Sequence, residues 1–353
     1  MGEVGSGQVT TERLDTFYLE AGPADGVPVL MIHGNLATCR FFDHVLADAP
    51  DRYRVIAPDM RGFGRSAKVG IDATRGLRDW ADDARALVAA LGIERPVHLV
   101  GWSTGGGAIG TWAMEHPQEV ASLTLIDPVS PYGFGGTRDA DGTPTTDDYA
   151  GSGGGTAAPE FVERLRTGDR SADSDFSPIN LMRAFYWSPS HREPDEREAM
   201  LVDEILMSLV GDDGYPGDST PSEHWPGVAP GTRGILNALS GKYCNWSGIV
   251  DAEPKPPILW THGTEDLVVS DTSMFEMGNL GQMGAVPGWP GPDAYPPQPM
   301  VTQIRTVLGR YADAGGRVET VIFEGSGHGP HVDAADRWQH TFWEFLDSVE
   351  PLV

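Results

Sequence analysis

The sequence predicts an α/β protein whose central sheet is mostly parallel and flanked by helices. Three observations carry that prediction. Short apolar runs recur along the 353 residues: Val29-Leu30-Met31-Ile32, Val55-Ile56-Ala57, Val97-His98-Leu99-Val100, Leu123-Thr124-Leu125-Ile126, Ile258-Leu259-Trp260 and Val321-Ile322-Phe323. Helix-period segments lie between several of them, as parallel neighbours require. Polar clusters follow the carboxyl ends of the runs, and that edge of an open parallel sheet is where ligands bind.

Taken in order, residues 1–12 are polar and glycine-containing and are expected to form a loose tail. The stretch Leu14–Glu20 reads as an edge strand, and Gly22-Pro23-Ala24-Asp25-Gly26 as a turn before the next strand. Trp80, Ala84, Leu87, Val88 and Leu91 recur at helical spacing, which predicts an amphipathic helix over 76–91 ended by Gly92. A second helix-compatible stretch runs from Ala108 to His116.

The α/β alternation is lost from Pro128 to Pro256. Gly133–Gly155 is rich in Gly, Asp and Thr and is expected to be a mobile loop. Ser177-Pro178 is a helix start, with serine as N-cap and proline at the first helical position. Residues 194–210 and Thr232–Leu239 are further helix candidates. The sheet pattern resumes at Pro257, so a mainly helical insertion over 128–256 is expected between core segments 1–127 and 257–353. Gly278–Pro299, crowded with Gly, Pro and Met, is expected to be an ordered loop near the mouth of the site.

Chemistry concentrates at strand ends. Gly101-Trp102-Ser103-Thr104-Gly105 has the G-x-S-x-G pattern between a strand and a helix. Such a turn strains the serine backbone, so small residues are needed two before and two after it. Gly101 and Gly105 meet that need, and Gly106 and Gly107 let the helix pack close. His33-Gly34-Asn35 ends one strand, and Asp59-Met60-Arg61-Gly62-Phe63-Gly64-Arg65-Ser66 follows another. Thr261-His262-Gly263-Thr264-Glu265-Asp266 and Gly325-Ser326-Gly327-His328-Gly329 follow two more.

On these motifs, which span residues 29–329, the chain resembles the α/β-hydrolase superfamily. The order Ser103…Asp266…His328 is that superfamily's order of nucleophile, acid and histidine. The resemblance implies an α/β-hydrolase fold with a helical cap inserted after the sixth strand. It also implies Ser103 as nucleophile, His328 as general base and Asp266 as the residue orienting the base. Asp127, which also ends a strand, stays open as the alternative acid, because some members place theirs there. The oxyanion donors implied are the backbone N–H groups of Thr104 and Asn35, with Leu36 as the neighbour to consider. Asp59 and Arg61 are structural in that family, and His33 shapes the oxyanion loop. Dehalogenases and epoxide hydrolases of the family attack with aspartate at the elbow, whereas serine stands here. His331, three residues past His328, reads as a supporting or surface residue, since no metal-binding cluster accompanies the pair.

Composition narrows the partners. There are 51 acidic and 25 basic residues, a formal charge of −26, which disfavours nucleic acid and anionic membranes as partners. Cys39 and Cys244 lie in no metal or redox spacing and are expected to be free thiols. The first residues lack the basic and apolar regions of a signal peptide, and no run approaches the ~20 apolar residues of a membrane span, so a cytoplasmic protein is expected.

The function expected is hydrolysis of a carboxylic ester or lactone of a bulky neutral small molecule, with no cofactor or metal. Phe185, Tyr186, Trp187, Trp225, Tyr243 and Trp246 lie in the insertion. Of these Trp187 and Trp246, with Leu36, are expected to line the substrate pocket. The plan is also similar to lactone hydrolases that open resorcylic macrolactones such as zearalenone. The alternative is a C–C bond hydrolase of ring-cleavage products, which would hold a substrate carboxylate with Arg40, Arg183 or Lys242. Perhydrolysis, an iminopeptidase recruiting Glu193–Glu198, and a non-enzymatic receptor rank lower.

Overall fold

Residues 4–349 are described by a computed structural model. Strands β1 (Gly5–Thr10), β2 (Asp15–Ala21), β3 (Val27–Ile32), β4 (Tyr53–Pro58), β5 (Val97–Trp102) and β6 (Val120–Ile126) precede a long insertion. Within it, β7 (Val210–Gly211), β8 (Tyr215–Pro216), β9 (Ser219–Pro221) and β10 (Val228–Pro230) are two or three residues each. Strands β11 (Ile258–Gly263) and β12 (Val318–Phe323) complete the main sheet.

Helices α1 (Asp43–Ala47), α2 (Arg78–Ala90) and α3 (Thr104–Glu115) connect the early strands. The insertion holds α4 (Pro159–Thr167), α5 (Pro178–Phe185), α6 (Asp195–Ile205) and α7 (Ile235–Leu239). Then come α8 (Met277–Gln282), α9 (Met300–Asp313), α10 (Pro330–Asp333) and α11 (Ala335–Ser348).

The eight strands lie in the order β1-β2-β4-β3-β5-β6-β11-β12. The β1–β2 and β2–β4 pairs are antiparallel, and the pairs from β4 to β12 are parallel. Strands β5, β6 and β11 are buried at every position, as strands covered on both faces must be. That is why they read as continuous apolar runs. No helix of the described residues is long and apolar enough to cross a membrane.

The start of the chain departs from expectation. Gly5–Thr10 is a strand, not a loose tail, paired with β2 from Gly5 opposite Glu20 to Thr10 opposite Asp15. The segment Leu14–Glu20 is therefore no edge strand. Backbone pairing alone builds β1, whose side chains are largely exposed, so no apolar alternation marks it.

The insertion also differs: most of it is irregular, and helices form only a minority. Gly133–Gly155 is not free of the core. Buried glutamines thread it: Gln298 accepts from the Gly135 N–H (2.6 Å) and donates to the Gly133 carbonyl (3.0 Å). Gln303 donates to Thr137 Oγ1 (3.0 Å) and to the Asp139 carbonyl (2.7 Å). Tyr295 Oη donates to the Ala150 carbonyl (2.7 Å), and Asn237 accepts from the Gly154 N–H (2.9 Å). The polar residues that satisfy this loop are far away in sequence, so its composition alone reads as mobility. The helix candidate over 194–210 stops early. Beyond Ile205 the Leu209 N–H is drawn out to the Gly62 carbonyl (2.7 Å), which ends α6 before residue 210.

Gln303→Leu keeps most of the side-chain volume but leaves Ser130 Oγ, Thr137 Oγ1 and the Asp139 carbonyl without their partner. Unpaired buried polar groups cost about 1–3 kcal/mol each before relaxation. The variant should lose at least ~2 kcal/mol in urea unfolding, and loss of less than half of that would argue that the loop is not held this way.

Candidate active site

Ser103 sits at the turn between β5 and α3 with φ 55° and ψ −114°, a region that L-residues with side chains rarely enter. The turn is fixed from its neighbour strand: the Ser103 N–H donates to the Ile126 carbonyl (2.9 Å), and the Ser103 carbonyl accepts from Val129 (3.0 Å). The flanking glycines are sterically required. A Cβ on Gly101 would lie 2.4 Å from the Gly105 oxygen, and one on Gly105 would lie 2.2 Å from the Ile32 oxygen. One on Gly106 would meet Pro128 at 2.5 Å. Strain at Ser103 costs on the order of 1–3 kcal/mol and persists because these neighbours leave the chain no other path.

The loop after β12 presents His328, and the loop after β11 presents Asp266. Both are buried, with His328 Nδ1 2.9 Å from Asp266 Oδ2. Asp266 Oδ1 accepts from the N–H groups of Val268 (2.7 Å) and Val269 (3.0 Å), which fixes the carboxylate plane. Trp102, next to Ser103, donates its indole N–H to the His328 carbonyl at 2.6 Å. This ties the histidine loop to the serine turn. Among the described residues, Asp266 is the one side-chain hydrogen-bond partner of His328, and Ser103 Oγ makes no hydrogen bond to it.

Burial opposes charge on the His328 ring, but the facing Asp266 carboxylate outweighs it and raises the imidazole above its ordinary value. Burial likewise works against the Asp266 anion, yet His328, His262 and the Val268 N–H together hold it below the usual carboxylate range. Asp127 serves another histidine. Its Oδ1 lies 2.7 Å from His262 Nδ1 and accepts from the Gly263 N–H (3.0 Å), while Oδ2 has no partner. Burial pushes Asp127 up to about 6, despite His262. Two histidine–carboxylate pairs thus lie side by side: potential ligand atoms of Asp127, His262 and Asp266 fall within 4.8 Å of one another.

The loop after β3 packs on Ser103: a Cβ on Gly34 would lie 3.2 Å from Ser103 Cβ. His33 shapes this loop, as expected. Its Nε2 accepts from the Met60 N–H (2.9 Å), so Nδ1 carries the proton and donates to the Gly34 carbonyl (2.7 Å). Burial keeps the ring neutral by lowering its pKa. In a trans peptide the C=O and the next N–H point opposite ways, so this bond also aims the Asn35 N–H. The N–H groups of Asn35, Leu36 and Thr104 donate to no acceptor among the described residues. Leu36 has φ 50°. Asp59 and Arg61 are structural: Asp59 accepts from the N–H groups of Cys39 (2.8 Å) and Arg65 (2.7 Å), and Arg61 forks onto Asp83.

Two expected pocket residues are placed otherwise. Trp246 is fully buried behind α3, its ring over Gly110 and its Nε1 3.3 Å from the Val129 carbonyl. It is a core residue, with no surface left for a substrate. Trp187 is 1% exposed and backs the histidine loop, where a Cβ on Gly327 would lie 2.3 Å from the Trp187 backbone. Leu36, 5% exposed, lies in the loop after β3. His331 is not at the surface. It is fully buried against Trp102 (ring centroids 4.9 Å), Phe42 and Trp338, with both nitrogens unpartnered, and burial drives its pKa well below the usual value. Both cysteines are free and buried.

Several residues of the site went unread in the sequence. Asp333 accepts from the Gly327 N–H (2.7 Å), the Ser188 N–H (2.9 Å) and the Ser326 hydroxyl, so it pins the histidine loop to the insertion. An acid five residues past the histidine was a readable signal. His262, inside a motif already quoted, and Trp102, inside the elbow, were readable too. Tyr186 and Glu204 were not, because their partners lie more than a hundred residues away.

A family model described as the alpha/beta hydrolase fold matches residues 27–280. The chain is 36% identical over 143 residues to a bifunctional esterase/perhydrolase of Acinetobacter calcoaceticus, covering 39% of this chain and 50% of that protein. It is 37% identical over 143 residues to a non-heme chloroperoxidase of Streptomyces lividans, with the same coverage of 39% and 50%. The chain thus spans about half the length of these curated relatives. A thermophilic esterase structure from Thermogutta terrifontis has a TM-score of 0.58, covering 98% of this chain and 99% of that one at 20% identity, a likeness of fold.

The neighbouring Asp127 charge also raises His328, so the two carboxylates can be separated by pH. If neutral His328 is the base, kcat/KM rises with pH through its folded pKa, above the ordinary ~6.5. Asp127→Asn removes a negative charge and should move that limb to lower pH with a small loss of kcat. Asp266→Asn should lower kcat by about 10²–10⁴. The reverse ranking in the two pH–rate profiles would reassign the acid.

Proposed function

The chain belongs to the α/β-hydrolase family, and on that premise we propose that it is a serine hydrolase of bulky, neutral carboxylic esters or lactones. One observation carries the reading: the left-handed Ser103 turn stands beside a dry His328–Asp266 pair 2.9 Å apart. With Nδ1 facing Asp266, His328 Nε2 is the nitrogen left for chemistry. As Ser103 Oγ attacks the carbonyl carbon, Nε2 takes its proton. The tetrahedral oxygen takes hydrogen bonds from the Thr104 and Asn35 N–H groups, with Leu36 adjacent. Collapse expels the alcohol, which leaves with the proton from His328. Water then attacks the acyl-enzyme by the same route and releases the acid.

In this reading α5 and α6 are the cap over the strand ends. The charge of −26 disfavours anionic substrates. The C–C hydrolase reading loses one of its three candidate cations, because Arg183 is taken by the buried Glu198. The iminopeptidase reading loses two of the four acids of that stretch the same way: Glu198 holds Arg183, and Glu193 holds Arg197 (2.7 Å). Hydrogen peroxide in place of water would turn the acyl-enzyme into a peracid, and the likeness to an esterase/perhydrolase supports that second outcome from the same intermediate.

Ser103→Ala should lower kcat by about 10⁴–10⁶ with the fold intact. A fluorophosphonate should label the wild type at Ser103 alone. Aryl esters and large lactones should be hydrolysed with higher kcat/KM than carboxylate-bearing dienoate diketones at low salt. Substantial ester hydrolysis by a folded Ser103→Ala protein, or a dienoate as the best substrate, defeats this reading.

A further inference from the structure

The loop that supplies the second oxyanion donor is held from two sides. On the sheet side His33 fixes the Gly34 carbonyl. On the outer side the partners come from the insertion. Tyr186, just past α5, donates its hydroxyl to the Leu36 carbonyl (3.0 Å) and, at 3.4 Å, to the Asn35 carbonyl. Glu204, in α6 and 3% exposed, accepts from Thr38 Oγ1 (2.7 Å). The same carboxylate is gripped by both terminal nitrogens of Arg65 (2.8 and 2.6 Å). The Tyr186 ring cannot swing away easily, because it packs edge-on against Trp102 (5.6 Å) and beside Phe41 (5.9 Å) and Trp187 (5.9 Å).

The geometry of a trans peptide turns these contacts into aim. Carbonyls of Asn35 and Leu36 drawn toward Tyr186 point the following N–H groups, of Leu36 and Ala37, the opposite way. Leu36 is left at φ 50°, a conformation that a leucine keeps only when its surroundings over-determine it. His33 fixes the peptide before Asn35, and with it the Asn35 N–H, but it does not reach the two peptides on either side of Leu36.

We propose that Tyr186 is a positioning residue for the oxyanion loop: with Glu204 on Thr38, it holds the strained turn at Leu36, so that the Leu36 N–H, the donor adjacent to Asn35, keeps its aim only while α5 and α6 are seated on the core. The inference rests on the serine-hydrolase reading. It makes the insertion part of the catalytic geometry as well as a cover, and it couples seating over a bulky acyl group to the rate of attack.

Tyr186→Phe keeps the ring and removes the donor. Complete loss of an oxyanion donor costs on the order of 10²–10³ in rate, and loosening one should cost about tenfold in kcat for an aryl ester. KM should stay within about twofold, and the acidic limb of the pH profile should not move, because His328 and Asp266 are untouched. The rate of fluorophosphonate labelling at Ser103 should fall by the same factor as kcat, since that reaction also develops charge on an oxygen in the hole. A merely structural tyrosine would lower Tm without this split. Thr38→Val, which cuts the Glu204 contact to the same loop, should lower kcat in the same direction and carries the test if Tyr186→Phe does not fold. Unchanged kcat and labelling rate in the folded variant overturn the inference while the wild type still hydrolyses esters. A wild type that neither hydrolyses esters nor is labelled at Ser103 overturns the serine-hydrolase reading, and this inference with it.

Discussion

The structure depends on one steric constraint, the close approach of α3 to the sheet at Ser103. The turn admits no Cβ at 101 or 105, and the helix admits none at 106 or 110 without moving Pro128 or Trp246. Around that contact the chain has one way to run, so the serine is held at φ 55° with its side chain at the end of β5. The strands on either side carry the other groups. Strand β3 pairs with β5 and ends in the loop that carries Asn35 and Leu36, while β6 and β11 follow on the other side and lead to Asp127 and Asp266. Parallel pairing in register places these loops at one edge, and the chemistry is assembled there without any one loop carrying it.

The acids and histidines at that edge are buried, and their electrostatics follow from burial. A buried carboxylate is stable as an anion only when protons and N–H dipoles face it. Asp266 has His328, two backbone N–H groups and the nearby His262, whereas Asp127 has His262, one N–H and an oxygen with no partner. The two acids are alike in type and in position after a strand, yet their surroundings push them in opposite directions.

The insertion serves two different ends. Its α5–α6 part touches the oxyanion loop through Tyr186 and Glu204, and Ser188 at its edge meets Asp333 beside the histidine loop. The remainder lies against the flank of the core, with Trp246 behind α3 and the 133–155 segment on Gln298 and Gln303. Trp187 and Trp246 therefore do not form a pocket wall. A buried tryptophan fills the gap that a glycine helix face leaves.

The sequence by itself determined the parallel sheet, the nucleophile turn and the order of the strand-end motifs, because these are local: a buried strand must be apolar, and a strained turn must be flanked by glycine. Six of the eight main strands were legible as apolar runs, and β2 was legible as a strand though misplaced at the edge. Only β1 escaped, since it is built by backbone hydrogen bonds and its side chains carry no pattern. Ser103, Asp266 and His328 were legible as candidates, but their pairing was not, since Asp127 satisfies the same local pattern. Only the tertiary structure decided that His328 faces Asp266 and that Asp127 faces His262. It alone decided that Trp246 is core, that His331 is buried, and that Tyr186 and Glu204 meet the loop after β3 at Leu36 and Thr38. Those outcomes depend on which groups meet across a hundred residues or more, and on how much water is left where they meet, and neither is written in the spacing of residues along the chain.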